Sequence, residues 1–269
     1  MIKKFRFVTF ILGILLLLVG CGGEKKEENV VKLGLTGDES VVWEAVRDEL
    51  KKDNIELKFV TFGDYIRPNL ALQEKELDIN AFQTEIYFDT FKKEHNLSIE
   101  KIGYTVIAPM GVYSKKIKDL SELKDGATIA IPNDSSNGGR ALILMQEAGL
   151  IKVDPNAGLF PKVRDILQND KNLKIVELAA TQIPRSLDDL DAALINNGVA
   201  VEAGFSPLND SIFIEDPKNE KLKPYFNIIA AREDNKDDKN VRRVVEVYQS
   251  EKIKKVILDY YKGSSVPVF

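Results

Sequence analysis

Residues 128–149, with the sequence TIAIPNDSSNGGRALILMQEAG, carry the pattern that decides the fold. Apolar and small residues at 128–131 predict a strand, and the polar, glycine-rich run that follows predicts a loop. Apolar residues at helical spacing then predict a helix from Arg140 to Glu147, which Gly149 ends. A strand, a loop and a helix in this order form the repeating unit of an α/β fold.

Strand-like and helix-like segments alternate on both sides of this unit. The pattern predicts strands at 31–35, 55–62, 79–82, 104–113, 173–178, 191–195 and 226–230, and helices at 40–50, around Ile86 to Phe91 and at 241–261. This alternation predicts a largely parallel α/β architecture. A chain of this length with many short strands rarely shares one core, so we expect two lobes.

The predicted lobes are residues 30–108 together with 226–269, and residues 109–225. The chain would cross between them twice. Ligands in open α/β sheets bind beyond the carboxyl ends of the strands, which here meet in a cleft between the lobes.

The first 20 residues predict a lipoprotein signal peptide. Lys3, Lys4 and Arg6 precede an apolar run that reaches Val19. A small residue before Cys21 is typical of a lipobox, in which the thiol receives lipid and becomes the new N-terminus. An uncleaved anchor helix, or an ordinary signal peptide with a free thiol, is the alternative. Residues 21–29 are charged and lack an apolar pattern, which predicts a flexible tether.

Composition excludes several classes of protein. Cys21 is the only cysteine, so the chain has neither an internal disulfide nor a cysteine cluster for metal. Removal of residues 1–20, which hold three basic residues and no acidic one, changes the net charge from −4 to −7. An acidic chain without a basic stripe argues against nucleic acid as a partner.

The residues suited to catalysis are few. His95 is the only histidine and lies at a polar helix end, which favours a surface residue over a catalytic base. Asp188, Asp189 and Asp191 form an acidic cluster for which a solvated turn is favoured over a metal site. We therefore predict no catalytic residue, no metal and no cofactor.

Arg140 is the candidate for binding an anion. The preceding loop predicts free backbone N–H groups at a helix N-terminus, where an anion is favoured. A cation in the first turn opposes the helix dipole, a cost that is easier to understand if the guanidinium grips a carboxylate with two parallel hydrogen bonds. Pairing of Arg140 with Asp134 or Glu147 on the surface is the equal alternative.

The chain resembles the NlpA-type, methionine-binding lipoproteins of ABC importers over almost its whole length. Besides the lipobox, the resemblance rests on FGDYIRPN at 62–69, LDINAFQ at 77–83, IPNDSSNGGRAL at 131–142, GLIK at 149–152, LAATQIPRSLDD at 178–189, ALIN at 193–196 and NIIAARED at 227–234. It implies a two-lobed periplasmic-binding-protein fold. It also implies delivery of a methionine-like ligand to an ABC permease with its ATPase.

The resemblance also implies roles for individual residues. Arg140 and Asn137 would hold the ligand α-carboxylate, and Asn196 and Asn227 would offer amide oxygens to its α-ammonium. Tyr65 and Phe82 would line the side-chain pocket, where a thioether packs well against aromatic faces. Tyr65 and Phe82 could instead be ordinary core aromatics. Asn196 and Asn227 could instead be turn residues or strand-end caps.

One position departs from the family pattern. Many methionine-specific members have histidine after the phenylalanine–glutamine pair, whereas Phe82 and Gln83 are followed here by Thr84. Loss of a large ring predicts a wider or more polar pocket. Gln83 and Thr84 are thus candidate specificity residues, and a larger methionine derivative or a dipeptide becomes a candidate ligand.

These observations predict a solute-binding protein and not an enzyme, held by lipid on Cys21 at the extracytoplasmic face of the cell membrane. The rival hypothesis is a surface interaction protein or adhesin with a vestigial cleft. The presence of Arg140, Asn196 and Asn227 together favours binding, because a cleft that no longer binds a ligand has no physical need for them.

Overall fold

The computed structural model describes residues 29–36 and 40–269. The predicted signal peptide, the lipobox and all of the predicted tether except Asn29 lie outside these residues. The strands are β1 Val30–Leu35, β2 Glu56–Thr61, β3 Ile79–Asn80, β4 Ile99–Ile107, β5 Gly111–Tyr113, β6 Thr128–Pro132, β7 Lys152–Val153, β8 Ile166–Gln168, β9 Lys174–Leu178, β10 Ala192–Ile195, β11 Phe213–Ile214, β12 Phe226–Arg232 and β13 Val266–Pro267.

Eight α-helices lie within the described part of the chain. They are α1 Ser40–Leu50, α2 Arg67–Gln73, α3 Glu85–His95, α4 Ser135–Glu147, α5 Asn197–Glu202, α6 Pro207–Asp210, α7 Lys239–Tyr248 and α8 Glu251–Tyr261. The two closing helices correspond to the apolar pattern predicted at 241–261. None of the helices in 29–36 and 40–269 combines the length and the apolar character needed to span a bilayer.

The strands form two main sheets and one short hairpin. The first sheet has the order β13-β4-β12-β3-β1-β2, and the second has the order β11-β5-β10-β6-β9. The hairpin pairs β7 with β8. The structure therefore confirms the predicted α/β class with two lobes.

Both sheets are mixed, so the prediction of a largely parallel architecture was wrong. β1 pairs in parallel with β2 and β3, and β6 pairs in parallel with β9 and β10. By contrast, β12 runs antiparallel to both β3 and β4, and β5 runs antiparallel to β10 and β11. The antiparallel pairs involve the strands that border the passages of the chain from one sheet to the other.

Those passages fall close to the predicted seams. The chain leaves the first sheet after β4 and enters the second at β5, and it returns through a 3-10 helix, Glu220–Tyr225, that leads directly into β12. The division into 30–108 with 226–269 and 109–225 stays a proposal, which this distribution of strands supports.

Each sheet is covered by its own apolar core. In the first lobe, the buried face of α1 carries Val42, Trp43 and Val46, and the Trp43 ring lies 4.6 Å from that of Tyr248 on α7. In the second lobe, α4 packs its apolar side on β6. The two cores hold the strand ends in place, and these ends form the walls of the cleft.

Candidate functional site

A cavity lies in the cleft between the two lobes, at the carboxyl ends of several strands. Thr36 follows β1, Phe82 follows β3, Asn137 lies on the helix after β6, and Asn196 follows β10, and all four line the cavity. This is the position expected for a ligand in open α/β sheets. The volume traced by the centre of a water-sized sphere is about 50 Å³.

Helix α4 begins earlier than the sequence predicted. Asp134 is its N-cap and accepts a hydrogen bond from the backbone N–H of Asn137 at 2.9 Å. Arg140 is therefore in the second turn, and the prediction that it lies in the first turn and opposes the helix dipole was wrong. Tight packing explains the glycines before it: a Cβ on Gly138 would lie 2.7 Å from the carbonyl oxygen of Pro132.

Arg140 makes a buried, two-point ion pair with Glu215. Its Nε donates to Oε1 at 2.8 Å and its Nη2 donates to Oε2 at 2.5 Å. The two side chains are only 2% and 3% exposed. Neither of the surface partners considered from the sequence, Asp134 or Glu147, pairs with it. The two parallel hydrogen bonds expected for a ligand carboxylate are thus made with Glu215.

The ion pair is tied to the first passage between the lobes. Nη2 of Arg140 also donates to the carbonyl oxygen of Ala108 at 3.0 Å, and Glu215 Oε2 accepts the backbone N–H of Met110 at 2.7 Å. The ring of Tyr225 lies 4.6 Å from the guanidinium carbon. Of the three guanidinium nitrogens, Nη1 takes part in none of these hydrogen bonds.

Four asparagines line the cavity together with Arg140, and three of them are the predicted ligand-binding residues Asn137, Asn196 and Asn227. Asn196 Nδ2 donates to Asn137 Oδ1 at 2.8 Å, and Asn137 Nδ2 donates to the Asp134 carboxylate at 3.0 Å. The Oδ1 atom of Asn196 is buried and has no hydrogen-bond partner among the described residues. Asn227 is 7% exposed, and its backbone forms a bridge with that of Thr84. A buried acceptor without a partner is costly unless a ligand supplies a donor.

Aromatic side chains form another part of the cavity wall. Tyr65 lies 5.9 Å from Phe82 and 6.1 Å from Tyr87, measured between ring centroids. The hydroxyl of Tyr87 donates to the backbone oxygen of Tyr65 at 2.8 Å. Burial, followed by the nearby Asp134 carboxylate, raises the pKa of Tyr87 well above its usual range. Tyr65 also packs against the apolar cluster of the second lobe, so this wall joins the two lobes.

The two candidate specificity residues have structural partners as well as a place in the cavity wall. The Gln83 amide exchanges two hydrogen bonds of 2.7 Å with Asn69 and donates to Asn80 at 2.9 Å. Thr84 is the N-cap of α3, and its hydroxyl accepts the backbone N–H of Tyr87 at 3.3 Å. Whether either residue sets ligand preference stays a prediction.

The residues considered for catalysis and metal binding lie elsewhere. His95 is exposed at the end of α3, where its ring stacks on Phe91 at 4.0 Å. Asp188 pairs with Lys115, and Asp191 accepts the backbone N–H of Thr128 at 2.8 Å. That hydrogen bond lowers the pKa of Asp191 below its usual value. Residues 29–36 and 40–269 contain no group of three or more acidic, histidine or cysteine side chains arranged for a metal.

The six predicted ligand-binding residues all line one cavity: Tyr65, Phe82, Asn137, Arg140, Asn196 and Asn227. Sequence reasoning missed Glu215 and Tyr87. Glu215 follows the two-residue strand β11, and an acidic residue at the end of a short strand carries no recognisable signal. Tyr87 could have been identified from the sequence, because it lies one turn after the capping residue of a predicted helix.

Comparisons with known proteins place this geometry in context. The model of a family described as NlpA lipoprotein matches residues 31–269. The D-methionine-binding lipoprotein MetQ of Escherichia coli K12 is 44% identical over 268 residues, which cover 98% of this chain and 97% of that protein.

Solved structures agree with this match. Protein PG110 from Staphylococcus aureus has a TM-score of 0.86 and 43% identity, covering 88% of this chain and 94% of that chain. A nutrient binding protein from Burkholderia cenocepacia, bound to methionine, has a TM-score of 0.84 and 42% identity, covering 89% and 100%.

Proposed function

Because this chain belongs to the NlpA lipoprotein family, which consists of substrate-binding proteins and not of enzymes, we propose that it captures methionine or a methionine-like solute for an ABC importer. The ligand would bind in the cleft between the lobes. The closed protein would then dock on a permease that works with its ATPase.

The observation that carries this proposal is the set of chemical groups in the cavity wall. Arg140 supplies a cation, Asn196 supplies a buried acceptor without a partner, and Tyr65 and Phe82 supply an apolar surface. A zwitterionic α-amino acid has groups that match these. Its carboxylate would meet Nη1 of Arg140 with support from Asn137, and its ammonium would donate to Asn196 and Asn227.

The size of the cavity fits a solute of this kind. The centre of a water-sized sphere has about 50 Å³ of room in the cavity, which is more than a single water needs and leaves space for a small solute. That space suits a single amino acid or a very small peptide. The names of the relatives support methionine in particular, since one is described as D-methionine-binding and another was solved with methionine bound.

Thr84 is the reason to include larger ligands. It lines the cavity where many methionine-specific relatives place histidine, and its short side chain is engaged as a helix cap. The space of the missing ring would then be available to a methionine derivative or to a second residue of a dipeptide. Handedness of the ligand is to be decided by the same binding experiment.

The anchor is the second part of the proposal. Lipid on Cys21 would hold the protein at the extracytoplasmic face of the cell membrane, and the residues up to Asn29 would act as a tether. The variant Cys21→Ser is expected to release the protein from membranes or to block its processing. Unchanged mass and unchanged membrane retention would refute the lipid anchor without touching the binding proposal.

The test of binding is native mass spectrometry of the chain from Gly22 onward, followed by identification of whatever denaturation releases. Isothermal titration of the emptied protein with L-methionine, D-methionine and glycyl-methionine then ranks the ligands. We expect one ligand per chain. No mass shift and no heat with any of these compounds would favour the rival function, a surface interaction protein with a vestigial cleft.

A further inference from the structure

Arg140 is the only charged residue among the described residues that line the cleft cavity. Its charge is balanced from behind by Glu215, which is buried and does not line the cavity. Asp134, the nearest acid to the neighbouring Asn137, caps α4 and is bonded to Ser136 and Asn137. The described cavity wall therefore holds a single cation, and that cation already has a partner.

We propose that Glu215 makes the site selective for ligands without net charge, so that it accepts zwitterionic amino acids and rejects carboxylates that lack an ammonium. This inference rests on the proposed function and adds a specificity-determining residue that acts through Arg140. Glu215 is thus a positioning residue, because it does not touch the ligand.

The geometry explains how the selection works. Glu215 occupies the Nε and Nη2 edge of the guanidinium, at 2.8 and 2.5 Å, and Ala108 accepts a further bond from Nη2. A ligand carboxylate is therefore left with Nη1 and gains only a single-sided contact. It also approaches a second carboxylate that lies directly behind the cation. Its own ammonium must offset that repulsion.

The asparagine acceptors in the cavity wall complete the selection. The unpartnered Oδ1 of Asn196 offers its lone pairs to a donor. A deaminated ligand brings no ammonium to this atom, which then stays buried and unsatisfied. A bare arginine without Glu215 would hold an anion regardless of the group at the α-carbon, because Coulomb attraction does not depend on hydrogen-bond geometry.

The test compares three ligands with the same thioether side chain and different net charge. They are methioninamide, which is a cation, methionine, which is a zwitterion, and 4-methylthio-2-oxobutanoate, which is an anion. Dissociation constants are measured by titration calorimetry for the wild type, Glu215→Gln, Glu215→Asp and the control Glu100→Gln. The control removes a carboxylate that pairs with Lys92 outside the cavity wall.

In Glu215→Gln, we expect the affinity for the oxo acid to rise relative to that for methionine by about tenfold or more, and the affinity for methioninamide to fall. Glu215→Asp and Glu100→Gln should keep the wild-type order. A uniform loss of affinity for all three ligands in Glu215→Gln would overturn the inference and leave Glu215 a structural residue. Failure of the wild type to bind any of them would instead refute the proposed function.

The wild type alone provides a second test if Glu215→Gln does not fold. A cavity whose cation is already balanced should bind methionine with an affinity that changes by less than about twofold between low and high salt, and low salt should not rescue the oxo acid. Strong binding of the oxo acid at low salt would overturn the inference.

Discussion

Replacing Asn196 with leucine should separate ligand binding from stability. Among the described residues, Asn196 makes one side-chain hydrogen bond, from Nδ2 to Asn137 Oδ1 at 2.8 Å, and its own Oδ1 is buried without a partner there. Leucine has the same branching and the same number of side-chain heavy atoms, and it removes both polar groups at once. The variant thus takes away the acceptor that we assign to the ligand ammonium.

The expected change in the free energy of unfolding is small because two effects oppose each other. Losing one hydrogen bond and leaving Asn137 Oδ1 without its donor costs about 2 kcal/mol. Removing a buried acceptor that had no partner returns about 1–3 kcal/mol. The net change should lie within about 1 kcal/mol. Loss of a hydrogen bond to the charged ammonium weakens binding by about 1.5–3 kcal/mol, or roughly 10–150-fold in Kd.

Urea unfolding without ligand and titration calorimetry with methionine measure the two quantities separately. Asn209→Leu is the matched control, because Asn209 is an exposed asparagine of the same lobe that donates to Ser206. The control should leave Kd unchanged. An Asn196→Leu variant that binds methionine as tightly as the wild type would refute the assignment of this oxygen to the ammonium, whatever its stability.

Arg140→Met should lower the free energy of unfolding by about 3–5 kcal/mol, because it leaves Glu215 buried and unpaired. The double variant Arg140→Met/Glu215→Leu should recover most of this loss, as measured by urea unfolding, but it should not recover ligand binding. Thr84→Ala should cost about 1 kcal/mol in thermal unfolding through loss of the α3 N-cap, and Thr84→Ser should change little. Asp191→Asn should be less stable than the wild type by about 0.5–1 kcal/mol at pH 6, after allowance for solvent screening. Because the folded-state pKa of Asp191 lies below its unfolded value of 3.8, this difference should shrink as the pH falls through and below 3.8, and a difference that stays constant down to pH 2 would contradict that assignment.

Local pattern predicted most elements because each was specified by its own residues. The spacing of Val42, Val46 and Leu50 predicted α1 within the bounds that the structure gives. For α4, the same method placed the start five residues late. It treated the polar run before Arg140 as a loop, and it did not weigh Asp134 as a capping residue. Helix-breaking glycines are tolerated there because the backbones of neighbouring segments pack against them.

The mixed character of the sheets was beyond local pattern. Strand direction in β12 depends on where the chain comes from, and the chain returns there from the other lobe. The sequence of residues 226–232 contains no pattern that indicates the direction of the strand. Periodicity alone identified the segment as extended and said nothing about its neighbours.

The candidate site divides in the same way. Arg140 and Asn137 were visible because they stand within one continuous motif. The partner of Arg140 was not, since Glu215 lies 75 residues further along the chain and only the folded structure brings the two together. An arginine that seems free in a motif therefore needs its distant acid before its role can be assigned.

The place of β12 between β4 and β3 has a consequence for how the chain is made. The strand that closes the first sheet is synthesised after every strand of the second sheet, which all lie between residues 111 and 214. Until Phe226–Arg232 is synthesised, the nascent chain presents β4 with its long edge open, and open edges template pairing with other chains. All strands of the second sheet can therefore pair before the first sheet is complete. A chain truncated before Phe226 lacks the strand that would cover this edge of β4.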